Sequence, residues 1–181
     1  NAPSDAALEI TLSGPTLRFN TTAVIAITGA EIGIELDDVP QPMNTTLAVS
    51  AGSVLKLGEI ASAGARSYLC LRGGIAVPEY LGSKSTFTLG QFGGHAGRAL
   101  RTGDVLHLAA CDGGVAGATL PAELCAPLPE VRSLRVIYGP HGAPEYFTAD
   151  GVDVFFATEC QVHFNSSRTG FRLIGFTTAV A

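Results

Sequence analysis

The sequence lacks long apolar runs and most of the common catalytic motifs. In 181 residues no stretch approaches eighteen consecutive apolar positions, so no membrane-spanning helix is predicted. There is no Walker A motif, and no GxGxxG opens a helix, which argues against a bound nucleotide. A GxSxG nucleophile elbow is absent, and the four histidines show no metal-ligand spacing. These absences predict that the chain holds neither a metal nor a nucleotide.

Charged residues are also scarce. They make up 15% of the chain, against 46% apolar residues, and the formal net charge is −5. An acidic balance argues against nucleic acid as a partner. A surface with so little charge indicates that part of it is normally covered by more protein.

The four cysteines form no CxxC pair and have no metal-binding spacing. Cys70 lies in an apolar run, where a free thiol is expected. Cys111 and Cys125 flank a glycine-rich turn, and the sequence leaves open whether they pair. The first residues, NAPSDAALEI, lack the basic start and apolar stretch of a signal peptide. We therefore expect a cytoplasmic protein with reduced thiols.

Short β-branched and apolar segments separated by turn residues dominate the chain. The segments predicted as strands are 7–12, 16–20, 22–28, 32–37, two within 45–60, 66–73, 105–110, 134–140 and two within 160–175. Residues 111–132 have no clear period and predict a surface connector. A helix is predicted near 148–156, with Thr148 or Asp150 as its N-cap. The pattern predicts a mainly β fold, either closed or sandwiched.

The most unusual segment is residues 72–104, which holds eight glycines, four cationic side chains and His95. Glycine loses the most conformational freedom on folding, so ordering so many implies unusual φ angles or a close backbone approach. Two interpretations are open. The segment is either a loop that receives an anionic or polar ligand, or a series of tight turns between short strands.

Two further polar motifs are candidates for chemistry. In Asn165-Ser166-Ser167-Arg168-Thr169-Gly170-Phe171-Arg172, the Arg168 guanidinium could hold a carboxylate and Asn165 could orient an amide. Gly139-Pro140-His141-Gly142 places His141 at the end of a predicted strand. Both motifs are also compatible with ordinary turns, and in the first of them the Ser and Asn side chains would bond their own backbone.

Three segments, 7–38, 67–104 and 134–175, resemble the carboxyltransferase region of biotin-dependent urea carboxylase, also called urea amidolyase. Their order and spacing fit that family across nearly the whole chain. The GGIxVPxxLGSxST pattern at 73–86 is shared with allophanate hydrolase subunit 2-like proteins and a bacterial 5-oxoprolinase subunit. GPHGAP at 139–144 and NSSRTGFRLIG at 165–175 are closer to the urea carboxylase branch.

The resemblance implies a cyclophilin-like β-barrel with short helices. It implies a reaction in which a carboxyl group moves from carboxybiotin to urea and gives allophanate. Biotin would be supplied by another domain, and ATP would be consumed at a separate biotin carboxylase domain. The implied partners are the biotin carboxylase and biotin carboxyl carrier domains and the remainder of the carboxyltransferase domain. Neither nucleic acid nor a membrane is expected as a partner.

Seven polar residues in the most family-like motifs have chemistry suited to this transfer. The candidate catalytic residues are Arg168, Asn165 and His141, and the candidate substrate-binding residues are Arg98, His95, Ser167 and Arg172. Donors are needed where negative charge develops on the carboxylate and the ureido oxygen.

The chain departs from the family pattern at both ends. A PPSGPMD-type segment expected upstream and an SNIHDN-type segment expected downstream are absent, and the sequence ends in FTTAVA. We therefore predict a partial carboxyltransferase domain over residues 1–175, a tail of unclear origin at 176–181, and little or no activity by this chain alone. The alternatives are a 5-oxoprolinase subunit and a non-catalytic regulatory binding module of the same family.

Overall fold

Alternating apolar residues in the first 71 positions fold into eight short strands. The computed structural model describes residues 2–61, 63–113, 115–125, 127–137, 139–164, 166, 168 and 170–175. The chain divides into two units, residues 1–132 and 133–181. The strands are β1 (Leu8–Thr11), β2 (Thr16–Arg18), β3 (Ala23–Gly29), β4 (Ile32–Leu36), β5 (Val39–Pro40), β6 (Leu47–Val49), β7 (Val54–Ile60) and β8 (Arg66–Leu71).

These strands form two antiparallel sheets of four strands each. The first has the order β1-β8-β3-β6 and the second the order β2-β7-β4-β5. In the first sheet Ile27 lies opposite Leu69, and in the second Leu36 lies opposite Leu55. The prediction of a mainly β fold is confirmed. Among the described residues the hydrogen-bonded strands close no ring, so the cyclophilin-like barrel stays a prediction.

The inward side chains of both sheets build one hydrophobic core. The fully buried residues include Ile25 and Leu69 from the first sheet and Leu55 from the second. Ser67 is also fully buried, and its hydroxyl donates to the carbonyl of Ala30 at 2.6 Å. A buried hydroxyl with a partner avoids the cost of an unsatisfied polar group.

The predicted connector pairs with residues 44–46, which come just before β6. Thr119 forms a bridge with Thr45, and the Leu120 N–H donates to the Asn44 carbonyl at 2.7 Å. The predicted strand 105–110 is wrong, because Leu108 forms a single bridge with Ile75 and the segment is otherwise irregular. The predicted strand 134–140 is likewise wrong over its described residues, which lie in no strand. Apolar alternation alone does not make a strand without a partner edge.

The second unit contains one helix and one hairpin among its described residues. Helix α1 spans Ala149–Ala157, and the Thr148 hydroxyl accepts from the Gly151 N–H at 3.1 Å, which confirms the helix and Thr148 as its N-cap. Strands β9 (Gln161–Val162) and β10 (Leu173–Ile174) pair antiparallel. None of the helices in the described part of the chain combines the length and apolarity needed to cross a membrane.

Candidate functional site

The glycine-rich run 72–104 folds as a series of turns. Within the run, isolated β-bridges join Tyr80 to Ser83 and Phe87 to Phe92. The residues of the run form neither a helix nor a strand of two or more residues. The Phe92 ring packs against Phe87 and Tyr80, with ring centroids 5.3 Å and 5.1 Å away. The aromatic contacts and bridges hold the run in a defined shape. The structure therefore agrees with the interpretation of this run as tight turns, and a ligand in this loop stays a prediction.

Gly97 shows why the run needs glycine. Its φ is +65°, and a Cβ at this position would collide with the backbone of Gln91 and Phe92. A residue with a side chain is disfavoured there twice, by the left-handed conformation and by the lack of space. The backbone of residues 93–97 can therefore form a tight turn, and Arg98 follows directly after it.

Arg98 is bound by Asp104 through both terminal nitrogens. Its Nη1 donates to Oδ2 at 2.7 Å and its Nη2 donates to Oδ1 at 2.8 Å. The Asp104 Oδ2 also accepts from the Arg101 backbone N–H at 2.8 Å. His95 lies at the margin of this group, with Nε2 3.9 Å from the Asp104 Oδ2. The structure thus brings together His95 and Arg98, two of the predicted substrate-binding residues, around an aspartate.

The electrostatics of this cluster follow from the paired geometry. The Arg98 guanidinium, together with the Arg101 N–H, holds the pKa of the Asp104 carboxyl well below its ordinary value. The hydrogen bonds to Asp104 in turn raise the pKa of Arg98. Both groups therefore keep their charges throughout the physiological range.

Two other cationic side chains of the run donate hydrogen bonds to backbone carbonyls within the first unit. The Arg72 Nε donates to the Asp112 carbonyl at 2.9 Å, and the Lys84 Nζ donates to the Ser4 carbonyl at 2.9 Å. These contacts tie the start and middle of the run to neighbouring segments of the first unit. The sequence suggested an excess of positive charge here, and the structure shows that much of it holds the loop in place.

The remaining candidates lie in the second unit. The His141 ring packs edge-on against Tyr146, with centroids 4.6 Å apart, and the Tyr146 N–H donates to the Gly142 carbonyl at 3.0 Å. His141 therefore sits in a tight turn before helix α1 and not at the end of a strand as predicted, because the described residues of 134–140 lie in no strand.

Arg168 and Arg172 belong to the loop of the β9–β10 hairpin. The Ser166 hydroxyl accepts from the Arg172 N–H at 2.9 Å and donates to the Arg172 carbonyl at 3.3 Å. Arg168 has a positive φ of 48° and is exposed. The motif is thus a hairpin turn in which a serine bonds the backbone, as the simpler interpretation predicted. Asn165 and Ser167, the other two candidates, lie outside the described residues.

Asp104 was not among the site residues predicted from the sequence. An acidic residue six positions after an arginine in a glycine-rich segment was the available signal. Burial raises the pKa of the Cys70 thiol, which makes it a poor nucleophile. Across the described ranges, no group of three histidine, cysteine or acidic side chains is placed to hold a metal.

The chain is similar to urea amidolyases, to a urea carboxylase and to a 5-oxoprolinase subunit. Urea amidolyase of Lachancea kluyveri is 42% identical over 93% of this chain, which covers 10% of that protein. The crystal structure of Kluyveromyces lactis urea carboxylase matches 96% of the chain with a TM-score of 0.78 and 40% identity, over 16% of its own length. A 5-oxoprolinase subunit of Haemophilus influenzae is 33% identical over 98% of the chain and 55% of that protein.

The chain therefore spans about a tenth of the length of the urea amidolyases that it matches. The model for "Carboxyltransferase domain, subdomain A and B" matches residues 1–180. Since this match covers nearly every residue, the chain belongs to the carboxyltransferase domain family.

Proposed function

We propose that this chain is part of a urea carboxylase carboxyltransferase domain, which moves a carboxyl group from carboxybiotin to urea to give allophanate. The observation that carries the proposal is the higher identity to urea amidolyases than to the 5-oxoprolinase subunits, over nearly the same residues. The chain alone is proposed to have little or no activity, and its parent to be an ATP-hydrolysing ligase.

The transfer needs urea and the carboxyl donor held together in one geometry. It also needs fixed donors where negative charge develops. We assign Arg168, Asn165 and His141 to the catalytic group. The substrate-binding group is Arg98, His95, Ser167 and Arg172. Support for Arg98 and His95 comes from their shared cluster, and support for the others comes from their place in the family-like motifs.

Biotin, carried by another domain, would bring the carboxyl group to this site as carboxybiotin. Of the two candidates in the first unit, Arg98 fits a carboxylate better than His95, because a guanidinium matches the planar, two-oxygen geometry of that group. The role of the chain's own residues is to bind this group, orient it and stabilise its charge. A separate biotin carboxylase would use ATP and bicarbonate to load the carrier.

The proposed partners are the biotin carboxylase and carrier domains and the remainder of the carboxyltransferase domain. Large apolar side chains of the second unit are exposed, among them Phe164 at 87% and Phe171 at 71%. Together with the low content of charged residues, such a surface fits a chain that packs against more protein. The proposed location is the cytoplasm, and the four cysteines, all unpaired thiols, support it. For the fold, we propose a cyclophilin-like barrel, which two sheets sharing one core support.

The test is a reconstituted assay with labelled bicarbonate, ATP, biotin carboxylase, biotinylated carrier and the remaining carboxyltransferase segments. We expect allophanate formation that depends on urea and on the presence of this chain. Arg168→Gln should reduce the rate at least about tenfold, because a charged donor is lost, and Arg18→Gln on strand β2 is the matched control. Robust turnover by the isolated chain would contradict its proposed inactivity.

The second candidate is a 5-oxoprolinase subunit, which the match to 55% of the Haemophilus influenzae protein favours. In that case ATP hydrolysis in the assay would follow 5-oxoproline and not urea. A site that pairs the donors of one substrate discriminates strongly against another, so the two substrates separate the candidates.

A further inference from the structure

The Arg98 guanidinium is hydrogen-bonded at its end, and one of its long edges has no hydrogen-bond partner among the described residues. A guanidinium carries five N–H groups. Three of those of Arg98 have partners, since Nη1 donates to Asp104 and to the Ala99 carbonyl at 2.9 Å, and Nη2 donates to Asp104. The contacts with Asp104 occupy the end of the guanidinium, between the two terminal nitrogens.

The two remaining N–H groups, on Nε and on Nη2, lie on the long edge of the guanidinium and point in the same direction. No described residue accepts a hydrogen bond from either of them. The Arg98 side chain is 32% exposed, so part of it is accessible to a ligand, while Asp104 at 16% is more enclosed. A pair of parallel donors of this kind matches the two oxygens of a carboxylate.

We propose that Asp104 is a positioning residue, which fixes the Arg98 guanidinium end-on so that its Nε–Nη2 edge binds a ligand carboxylate. Without Asp104, the flexible arginine would have to be ordered when the ligand binds, and that ordering reduces affinity. The Arg101 N–H and the closed turn at Gly97 hold the aspartate and the arginine in turn. His95 lies at the margin of the cluster, with its Nε2 3.9 Å from the Asp104 Oδ2.

The ligand class rests on the proposed function. Allophanate, the product of the proposed transfer, carries a planar carboxylate on nitrogen, as does carboxybiotin. 5-Oxoproline, the substrate of the second candidate, carries a carboxylate on carbon. The shared chemistry is one planar carboxylate beside an amide, and urea has the amide without the carboxylate.

The experiment is NMR titration of the 181-residue chain with labelled arginine side chains, following the Arg98 Nε–H signal. Allophanate should shift this signal, and urea at the same concentration should not. Arg98→Lys keeps a cation for Asp104 but has no second edge, so allophanate binding, followed for both chains by the backbone amides of residues 93–104, should be lost. Asp104→Asn should weaken binding roughly tenfold or more, as expected for disturbing a charged bidentate contact. Asp38→Asn, which removes a carboxylate paired with Lys56 on the second sheet, is the matched control and should bind normally.

Thermal unfolding of each variant separates loss of the site from loss of the fold. Equal allophanate binding by the parent chain and Arg98→Lys, or no shift in the parent chain with either allophanate or 5-oxoproline, would overturn the site. Unchanged affinity in Asp104→Asn would overturn the positioning role. Binding of 5-oxoproline without allophanate would leave the Arg98 site standing and reject the urea branch, so the two proposals fail separately.

Discussion

At the scale of single residues, the most informative group is the carboxylate of Asp104. It accepts three hydrogen bonds, two from Arg98 and one from the Arg101 backbone, and it thereby holds residues 98–104 together just after the turn that carries His95. A short segment without helix or strand depends on contacts of this kind, because no backbone ladder holds it. The same contacts make the loop sensitive to acid.

We predict that the glycine-rich loop loosens in acid. The folded pKa of Asp104 is depressed, so its stabilising contribution is present above the unfolded value of about 4 and is lost as the pH falls below it. Hydrogen exchange of the amides in residues 93–104, measured from about pH 6 to about pH 2, should show reduced protection at the acid end. In Asp104→Asn this pH dependence should disappear, and a profile identical to that of the parent chain would contradict the prediction.

A second prediction concerns Gly97. Its replacement by alanine adds a strained φ and a collision with the backbone of Gln91 and Phe92, whereas Gly103, with φ of +93°, has open space around it. Gly103→Ala should cost about 1 kcal/mol of unfolding free energy for the left-handed conformation. Gly97→Ala should cost about 1–3 kcal/mol more because of overpacking. Urea denaturation of both variants measures the difference, and equal losses would show that the loop yields without cost.

At the scale of elements, the two central strands of the first sheet carry the core. Strands β3 and β8 pair over five residues, and Ile25, Ile27 and Leu69 on these strands are buried. The strand segments could be predicted because period-2 alternation is written locally in the sequence. Their partners could not, since β1 pairs with β8 across more than fifty residues and that choice depends on packing against the second sheet.

We predict a large difference between two leucine truncations. Leu69→Ala removes a fully buried side chain from β8 and should lower the unfolding free energy by about 2–5 kcal/mol. Leu89→Ala, at a position 84% exposed in the glycine-rich run, should change it by less than about 0.5 kcal/mol. Chemical denaturation of the two variants provides the comparison, and similar losses would show that the core is not where the sheets place it.

At the scale of the whole molecule, the two units differ in how much they bury. The first unit has a core drawn from two sheets, whereas Gly151 is the one buried residue in the described part of the second unit. Burial of apolar surface is the main favourable term in folding. The second unit therefore gains little stability from its own side chains, which fits a segment that is completed by other protein.

We predict that hydrogen exchange divides the chain in the same way. Amides of β3, β8, β4 and β7, which have a neighbouring strand on each side, should exchange most slowly, because they open only on unfolding of the core. Amides of α1 and of the β9–β10 hairpin should exchange at least about tenfold faster. Added carboxyltransferase segments should protect the second unit, and equal protection of both units in the isolated chain would contradict this account.

The sequence by itself determined the mainly β character, the presence of helix α1 and the family. Each of these depends on residues close together in the chain or on a motif read in order. The tertiary structure decided the strand order, the irregular course of 105–110 and the pairing of Arg98 with Asp104. These depend on which distant segments pack together and on side-chain geometry within a closed turn. A sequence can show that an arginine is present, but the fold determines which of its N–H groups are already used.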